Sequence, residues 1–544
     1  VDLMKRMISA IRHRGPDEFG IYSDDHACLG HARLSIIDLT TGDQPIHNED
    51  KSMWIIYNGE VFNYPELREE LIKKGHQFTT TSDTEVILHG YEEYGPAILE
   101  RMNGQFAFAI WNKSNRELFV ARDRLGIRPL FYFYDHQRFV FSSEIKSILQ
   151  HQNIDAELNP FALSQIFTFW TTLYPNTVFK NIQELPPAHY LILKNGNMRI
   201  HRYWELSFPA IDAYEDRPFS FWAERFKELL VDASLIRLRA DVPVGAYLSG
   251  GLDSSVISAI IMNYTNNPMK TFSISFEEQD FDESRYQTVV SQHLGTDHRD
   301  QSISNTSVAE NFPRTIWFAE KPILRTAPVP LMLLSDLVRR NNFKVVLTGE
   351  GADEFLGGYN IFKENLIRHF WYKYPDSKRR PQLLQKLYPY LSVSSPQIRR
   401  FTEQFFAYKL SEISHPAYSH LVRWRNYEQF SKFFAPDFKD QLNGYQPIDD
   451  FLQFIPDGFG QWAPLSKAQY IEISLFMSGY LLSSQGDRMA MANSVEGRFP
   501  FLDHRLVEFC SQIPPKYKLH RMNEKYILKK TMQHLLPPLI SQRS

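Results

Sequence analysis

A glycine- and serine-rich loop between two apolar segments constrains the fold of this chain more than any other stretch. The loop is residues 249–255, with the sequence SGGLDSS. The short, partly β-branched segment before it suits a buried parallel strand, and the longer apolar run after it suits a helix packed on that strand. We therefore predict a strand, a glycine turn and a helix, in that order.

The same loop has the chemistry of an anion site. Gly250 and Gly251 let the backbone approach an anion closely, and the start of the following helix adds unpaired N–H groups. Ser249, Ser254 and Ser255 add hydroxyl donors. The loop lacks the Gly-Lys-Ser/Thr ending that places a lysine on the β- and γ-phosphates. We interpret it as a phosphate loop of another class, and an ordinary glycine-rich turn is the alternative.

An acidic segment follows a later strand. Strands and helices alternate after the loop, which predicts a doubly wound parallel sheet whose ligands bind beyond the strand C-termini. The predicted strand at residues 344–347, with the sequence KVVL, runs into a segment containing Glu350, Asp353 and Glu354. Carboxylates this close repel one another unless a cation joins them, and Mg²⁺ is usually held by one or two carboxylates plus phosphate oxygens. The alternative is a solvated acidic helix N-terminus.

The first 205 residues have a different pattern, with short apolar runs separated by Gly, Asn, Asp and Pro. Buried strands are predicted at residues 54–57, 106–111, 118–121 and 139–141, and helices at 65–74 and 83–94. Arg, Asn and Asp recur where the strands end, which predicts a site for a small zwitterion. Arg33 could bind its carboxylate and Asp83 its ammonium group. We place the domain boundary in the polar stretch that follows, with domains at 1–205 and 206–544.

Composition excludes several classes of function. The chain has 544 residues and a formal net charge of −3, so it has no nucleic-acid or membrane-surface footprint and its substrate should be a small molecule. Cys28 and Cys510 are too few for a disulfide framework, which fits a reducing cytoplasm. No apolar run approaches the roughly 18 residues that span a bilayer. We expect Cys28 to be a buried structural cysteine, and both chain ends to be cut.

The polar clusters at the strand ends of the first domain, in their order along the chain, resemble those of the class II glutamine amidotransferases. The whole chain is similar to the glutamine-hydrolysing asparagine synthetases. The resemblance implies an α+β N-terminal nucleophile (Ntn) hydrolase sandwich. It would be followed by an α/β doubly wound ATP-pyrophosphatase domain with a helical C-terminal part. In that family an N-terminal cysteine attacks the glutamine amide, and the Met-Cys-Gly strand that carries it would precede Val1.

The resemblance also implies roles for individual residues. In the first domain, Arg33 would bind the glutamine carboxylate. Asn58 and Gly59 would form the oxyanion hole, and Glu60 and Asp83 would hold the amino group. An oxyanion hole needs preorganised N–H donors of this kind.

In the second domain, Asp253 and Asp353 would hold Mg²⁺ and pyrophosphate. Glu350 would face the substrate or its intermediate, and Lys525 would contact the activated intermediate. The ATP and pyrophosphate site would comprise Leu248, Ser249, Gly250, Gly251, Asp253, Ser254, Ser255, Ile274 and Gly349.

The implied reaction converts aspartate to asparagine through an aspartyl-adenylate, using ATP and ammonia from glutamine and releasing AMP and pyrophosphate. The partners would be small molecules (glutamine, aspartate and ATP), with no nucleic acid and no membrane. A homodimer is possible, but the sequence does not determine the oligomeric state. One alternative is a relative that amidates or cyclises another carboxylate, as in β-lactam synthetase-like, natural-product or surface-sugar chemistry. Another is a non-catalytic sensor of glutamine or nucleotide.

Two further stretches have structural interpretations. The Asp/Arg and Glu/Arg pairs of residues 487–503 predict an ion-pair network. This stretch also resembles the C-terminal signature of the family, except that Ala490 replaces a hydroxyl residue. The aromatic residues between 360 and 470 predict packing between helices, since no basic excess accompanies them.

Overall fold

The computed structural model describes residues 1–266, 268–280, 282–388 and 396–543. Its first part contains antiparallel sheets and helices. The strands are β1 (Glu18–Ser23), β2 (Cys28–Arg33), β3 (Ile46–His47), β4 (Met53–Val61), β5 (Gly104–Asn112), β6 (Glu117–Arg122), β7 (Phe131–Tyr134), β8 (Phe139–Ser142), β9 (Ile182–Glu184), β10 (His189–Lys194) and β11 (Asn197–Arg202). The helices are α1 (Asp2–Ala10), α2 (Tyr64–Lys73), α3 (Asp83–Tyr94), α4 (Ile98–Arg101), α5 (Ile145–Ile148) and α6 (Pro160–Phe169).

The six-stranded sheet of this part has the order β11-β10-β6-β5-β4-β3. Side chains of β5 alternate between its two faces, as the pleat of a strand requires. Phe106 and Phe108 pack in the core beneath α2 and α3. Ala109 and Trp111 pack on the opposite face, against residues of β2 and β7. A strand buried on both faces reads as an uninterrupted apolar run, and this explains why the sequence indicated β5 so clearly.

The second part is built on a five-stranded sheet. Its strands are β12 (Val244–Tyr247), β13 (Lys270–Phe276), β14 (Asp297–Ile303), β15 (Val345–Leu347) and β16 (Glu496–Arg498), in the order β14-β13-β12-β15-β16. All four pairings are parallel. The order reverses between the neighbouring strands β12 and β15, which makes their C-terminal loops the switch point of a doubly wound sheet. The prediction of this fold is confirmed.

Helices surround this sheet and continue beyond it. They are α7 (Phe219–Ile236), α8 (Leu252–Tyr264), α9 (Ser284–Leu294), α10 (Asn305–Ala319), α11 (Pro328–Arg340), α12 (Ala352–Leu356), α13 (Asn360–Tyr372), α14 (Leu384–Leu387), α15 (Pro396–Phe406), α16 (Leu421–Trp424), α17 (Asn426–Phe430), α18 (Pro436–Leu442), α19 (Pro447–Gln453), α20 (Pro464–Ile471), α21 (Arg488–Met491), α22 (His504–Gln512), α23 (Pro515–Lys518), α24 (Tyr526–Met532) and α25 (Pro538–Ser541). A π-helical segment, Glu472–Asp487, joins α20 to α21. Among the described residues, no helix is both long and apolar enough to cross a bilayer.

The aromatic residues between 360 and 470 follow the packing prediction only in part. Trp371, Phe406 and Trp424 are buried in the helical layer. Tyr374 and Phe401 are 64% and 68% exposed, so the prediction is wrong for these two side chains. The stretch alternates buried and exposed helix faces, and the face that an aromatic side chain occupies depends on the packing of neighbouring helices.

Buried ion pairs join the two parts of the chain. Asp487 lies between Arg14, at 2.8 Å, and Arg128, at 3.1 Å. Arg488 pairs with Glu144 at 3.2 Å, and all these side chains are almost fully buried. The predicted ion-pair network is confirmed, and it connects residues more than 350 positions apart. Ala490 packs against the apolar cluster beside this network.

Candidate active sites

The first part of the chain contains a cavity of about 530 Å³. Its lining includes residues from α1, β2, β4 and the start of α3. The five residues with predicted glutamine roles all lie on its wall: Arg33, Asn58, Gly59, Glu60 and Asp83. The structure therefore brings together groups that are up to 50 positions apart in the sequence.

Arg33 lies at the end of β2 with its guanidinium buried. Its Nη1 contacts Asp43 at 2.5 Å and Glu18 at 3.2 Å. Its Nη2 donates to the carbonyl oxygens of Ile37 and Asp38. The two carbonyls hold the guanidinium plane in place, whereas the Glu18 and Asp43 carboxylates are substantially exposed. A ligand carboxylate could replace these exposed partners in a bidentate contact.

Glu60 and Asp83 form the acidic side of the cavity. Asp83 accepts hydrogen bonds from the Tyr57 hydroxyl at 2.9 Å and from the Val61 N–H at 3.0 Å, and burial raises its pKa to about 6. Glu60 contacts Arg498 through Oε1 at 3.0 Å, and burial raises its pKa well above the ordinary value. Its Oε2 is buried and has no hydrogen-bond partner among the described residues. This oxygen is available to an ammonium group.

Gly59 has a backbone that only glycine adopts easily. Its φ is +146°, and a Cβ there would lie 2.0 Å from the Gln105 carbonyl oxygen. The preceding residue, Asn58, places its Nδ2 3.5 Å from the Ser143 hydroxyl oxygen. The Asn58 amide and the Gly59 backbone thus occupy neighbouring positions on the wall of the cavity.

Cys28 differs from its prediction. It is only half-buried and lies on the wall of this cavity, so the expectation of a buried structural cysteine is wrong. Strand β2 is paired with β1, and Cys28, Gly30 and Arg33 are among its residues on the cavity wall. The sequence alone could not show which elements border this strand.

The second candidate site lies at the C-terminal ends of β12 and β15. Hydrogen bonds made by its own serine hydroxyl groups stabilise the loop after β12. The Ser249 and Ser254 hydroxyl oxygens are 3.0 Å apart, and Ser255 donates to the Gly251 carbonyl at 2.6 Å. These contacts fix the shape of the loop before any anion binds.

Leu248 lies between β12 and this loop. Its side chain is fully buried, and its N–H donates to the Phe272 carbonyl oxygen at 2.9 Å. Because both the side chain and the N–H are engaged, Leu248 could contact a nucleotide only through its own carbonyl group.

The two loops touch at a glycine. A Cβ on Gly349 would lie 2.9 Å from both the Asp253 Cβ and the Ser254 nitrogen. Only a residue without a side chain allows this approach, which brings the acidic segment after β15 against the first turn of α8. Ile274, on the adjacent strand β13, is partly buried against the apolar cluster that contains Phe272 and Val346.

Lys525 lies between the two aspartates of these loops. Its Nζ is 2.5 Å from Asp253 Oδ2 and 2.7 Å from Asp353 Oδ1. Burial would lower the pKa of Lys525, but the two carboxylates raise it. Burial raises the pKa of Asp253 to about 6, against the effect of the lysine. The predicted association of Lys525 with this site therefore has a geometric basis that spans 272 positions of sequence.

Glu350 and Glu354 differ in their surroundings. Burial, together with the charges of Asp253 and Asp353, raises the pKa of Glu350 to about 7, and its Oε2 has no hydrogen-bond partner within the described ranges. Glu354 instead accepts a hydrogen bond from the Tyr359 hydroxyl at 2.7 Å. Of the three carboxylates in the acidic segment, Glu354 is thus held by a structural contact, whereas Glu350 and Asp353 face the site.

The donor set of this site fits Mg²⁺. Asp253 Oδ1 is buried and unpaired in the part of the chain that the structure describes, and Asp353 is partly exposed beside it. These are hard oxygen ligands, and Mg²⁺ prefers one or two carboxylates plus phosphate oxygens. The Lys525 ammonium contacts Asp253 Oδ2 and Asp353 Oδ1, so Asp253 Oδ1 remains for a metal ion.

Sequence reasoning missed the contribution of the C-terminal part to the first cavity. Glu496 lies on its wall, and Arg498 contacts both Glu60 and Glu496, at 3.0 and 2.9 Å. The charged pairs of residues 487–503 were the signal, but their partners are far away in the sequence.

Known protein families match both parts of the chain. The profile of the asparagine synthase family matches residues 225–544, which is more than half of the chain. The chain belongs to the asparagine synthase family. Its residues 1–204 match the glutamine amidotransferase domain profile. The resemblance identified from the sequence is confirmed.

Curated relatives match this family member along its whole length. Asparagine synthetase [glutamine-hydrolyzing] 1 of Bacillus subtilis (strain 168) is 34% identical, over 100% of this chain and 83% of that protein. Asparagine synthetase [glutamine-hydrolyzing] 3 of the same organism is 32% identical, over 99% of this chain and 83% of that protein. The amidase chyE of Penicillium rubens (strain ATCC 28089 / DSM 1075 / NRRL 1951 / Wisconsin 54-1255) is 30% identical, over 98% of this chain and 82% of that protein.

Proposed function

We propose that this family member is a glutamine-dependent asparagine synthetase, which converts aspartate to asparagine through an aspartyl-adenylate and releases AMP and pyrophosphate. The observation that carries the proposal is the contact of the two loops at the switch point of the parallel sheet, with Lys525 between Asp253 and Asp353. A phosphate loop without a P-loop lysine suits attack at the α-phosphate, with pyrophosphate as the leaving group.

The first cavity would hydrolyse glutamine. Arg33 would bind the glutamine carboxylate, and Glu60 and Asp83 would bind its ammonium group. The Asn58 amide and the Gly59 N–H would stabilise the oxyanion that develops on the amide carbonyl. The nucleophile would be the N-terminal cysteine that is typical of the family, with its own amino group as base.

The second site would activate aspartate. The residues that would contact ATP and pyrophosphate are Leu248, Ser249, Gly250, Gly251, Asp253, Ser254, Ser255, Ile274 and Gly349. Asp253 and Asp353 would hold Mg²⁺, which when bound neutralises charge on the phosphate oxygens. Lys525 would orient the adenylate through its fixed ammonium group.

Glu350 would accept a proton from the attacking ammonia. Its pKa of about 7 places it between its protonated and ionised forms near neutral pH, where a general base is most effective. Its unpaired Oε2 is the atom that would take the proton.

Location in the cytoplasm and a homodimer stay predictions, as does the division of the chain into domains at 1–205 and 206–544.

A pyrophosphate exchange assay tests the proposal. The full-length protein is incubated with ATP, labelled pyrophosphate and one carboxylate at a time, and aspartate should be the substrate that supports exchange. Asp253→Asn should lower this exchange by at least about tenfold, the effect of losing about 1.4 kcal/mol of transition-state stabilisation. The matched control is Asp212→Asn, at an exposed position in the polar stretch between the two parts of the chain.

Two outcomes would contradict the assignment. Exchange that survives Asp253→Asn unchanged would remove the proposed role of the loop. Exchange with another carboxylate and none with aspartate would favour the alternative, a related amidotransferase or cyclase. A specific observation keeps that alternative in the test, because a relative described as an amidase is 30% identical to this chain.

A further inference from the structure

A histidine and carboxylate cluster lies outside both candidate active sites. Glu49, in the loop after β3, His76, in the loop after α2, and His89, on α3, each offer a ligand atom, and these atoms lie within 4.8 Å of one another. Glu92, one turn after His89, places its Oε2 2.7 Å from His89 Nδ1 and 3.9 Å from His76 Nδ1. Three separate chain segments thus converge on one point.

Each carboxylate of this cluster has one oxygen held by the protein and the other directed at the histidines. Glu49 Oε1 accepts from the Gln77 N–H at 3.1 Å, while its Oε2 lies 3.8 Å from His89 Nδ1. Glu92 Oε1 accepts from the Asn48 side chain at 2.7 Å. The two facing oxygens are therefore positioned before any ligand arrives.

Both histidines present Nδ1 to the cluster and Nε2 to a carboxylate behind them. His89 is fully buried, and its Nε2 lies 3.6 Å from Glu85 Oε1. His76 Nε2 lies 3.5 Å from Glu93 Oε2. Metal-binding histidines typically have this arrangement, in which the second ring nitrogen faces a carboxylate that sets the tautomer and the ring orientation.

The carboxylate behind His89 is itself rigidly held. Glu85 accepts four hydrogen bonds, from the N–H and hydroxyl groups of Thr79 and Thr80, at 2.7–2.9 Å. The His89 Nε2 atom has no hydrogen bond in the part of the chain that the structure describes. A small movement of this ring would therefore complete the hydrogen bond to Glu85 and direct Nδ1 at a bound ion.

We propose that Glu49, His76 and His89, with Glu92 as the fourth ligand, form a site for a divalent transition-metal ion such as Zn²⁺. Two imidazole nitrogens and two carboxylate oxygens suit Zn²⁺ and disfavour Mg²⁺, which selects oxygen ligands. An ion bound between His89 Nδ1 and Glu92 Oε2 would take the place of the direct contact that joins these two atoms at 2.7 Å.

The site would stabilise the glutamine cavity through α3. This helix begins at Asp83, on the cavity wall, and His89 follows about 9 Å along its axis. An ion bound by Glu49 and His76 would tie two surface loops to the helix. Its role is structural, and the proposal is independent of the reaction at either active site.

The experiment uses the full chain after treatment with EDTA and desalting. One equivalent of Zn²⁺ is added without nucleotide or glutamine, and the retained zinc is measured by mass spectrometry along with the melting temperature. We expect one zinc per chain and a rise of roughly 3 °C or more, since a ligand that binds only the folded state stabilises it. The same concentration of Mg²⁺ should produce no rise.

Two variants and a matched control decide the outcome. His76→Gln and Glu49→Gln change side chains that are partly exposed, so both variants should fold, which circular dichroism verifies. Both should lose the zinc and the rise in melting temperature, whereas His293→Gln, at an exposed position on α9, should retain both. The proposal is overturned if the unchanged chain retains no zinc. It is also overturned if both variants retain as much zinc as the unchanged chain, which would place the ion elsewhere.

Discussion

Asp487 offers the sharpest test of how the two parts of this chain are held together. Its carboxylate accepts hydrogen bonds from Arg14 at 2.8 and 3.0 Å and from Arg128 at 3.1 Å, and its side chain is 2% exposed. Asp487→Asn keeps the shape of the side chain and removes its charge. Two buried guanidinium groups then lose a shared carboxylate.

The expected cost follows from what each arginine retains. Removing one member of a buried ion pair costs about 3–5 kcal/mol when it leaves an uncompensated charge. Arg14 keeps Glu144 at 3.0 Å and Arg128 keeps Glu496 at 2.6 Å. We therefore expect the lower end, about 3 kcal/mol, which for a chain of this length corresponds to a fall in melting temperature of roughly 3 °C or more.

Thermal unfolding followed by circular dichroism measures this fall. The control is Asp135→Asn, which removes a carboxylate that pairs with Arg138 at 2.5 Å on the surface. Exposed ion pairs contribute little, so its melting temperature should not change measurably. Equal melting temperatures for the two variants would refute the reasoning, because burial would then have no bearing on the strength of these pairs.

Three further predictions concern the reaction. Arg33→Ala should abolish glutamine-dependent synthesis and leave ammonia-dependent synthesis intact; equal loss of both would contradict the assigned division between the sites. Glutamine-dependent synthesis should fall as the pH drops below about 7, because Glu350 becomes protonated there. Glu350→Gln should lower the rate about a hundredfold and remove this pH dependence. A Glu350→Gln variant with an unchanged pH profile would exclude Glu350 as the base. Gly358→Ala should strongly reduce ATP/pyrophosphate exchange, because the alanine Cβ would lie 1.9 Å from Asp353 Oδ1 and 2.3 Å from Lys525 Cε and would displace both side chains. Normal exchange in this variant would show that the reaction does not need Lys525 in this position.

Local sequence patterns were sufficient to predict much of the fold and to identify the family. The apolar run of β5, the SGGLDSS loop and the alternation of strands and helices each depend on neighbours in sequence, and the structure has each of them where the sequence indicated. The polar residues at the strand ends were also recognisable, because Arg33, Asn58 and Asp83 have side chains that suit a zwitterion. Their roles in catalysis stay predictions.

Tertiary structure decided the contacts between distant segments. The chain order of β12 to β16 could not show that β12 and β15 are neighbours, and only this pairing brings Gly349 against Asp253. Arg498 contacts Glu60, and Cys28 faces a cavity, for the same reason. Hydrophobic periodicity identifies which face of a strand or helix is buried, but it contains no information about which element covers that face. Ion pairs and cavities form where two such faces meet, and so they depend on the packed fold.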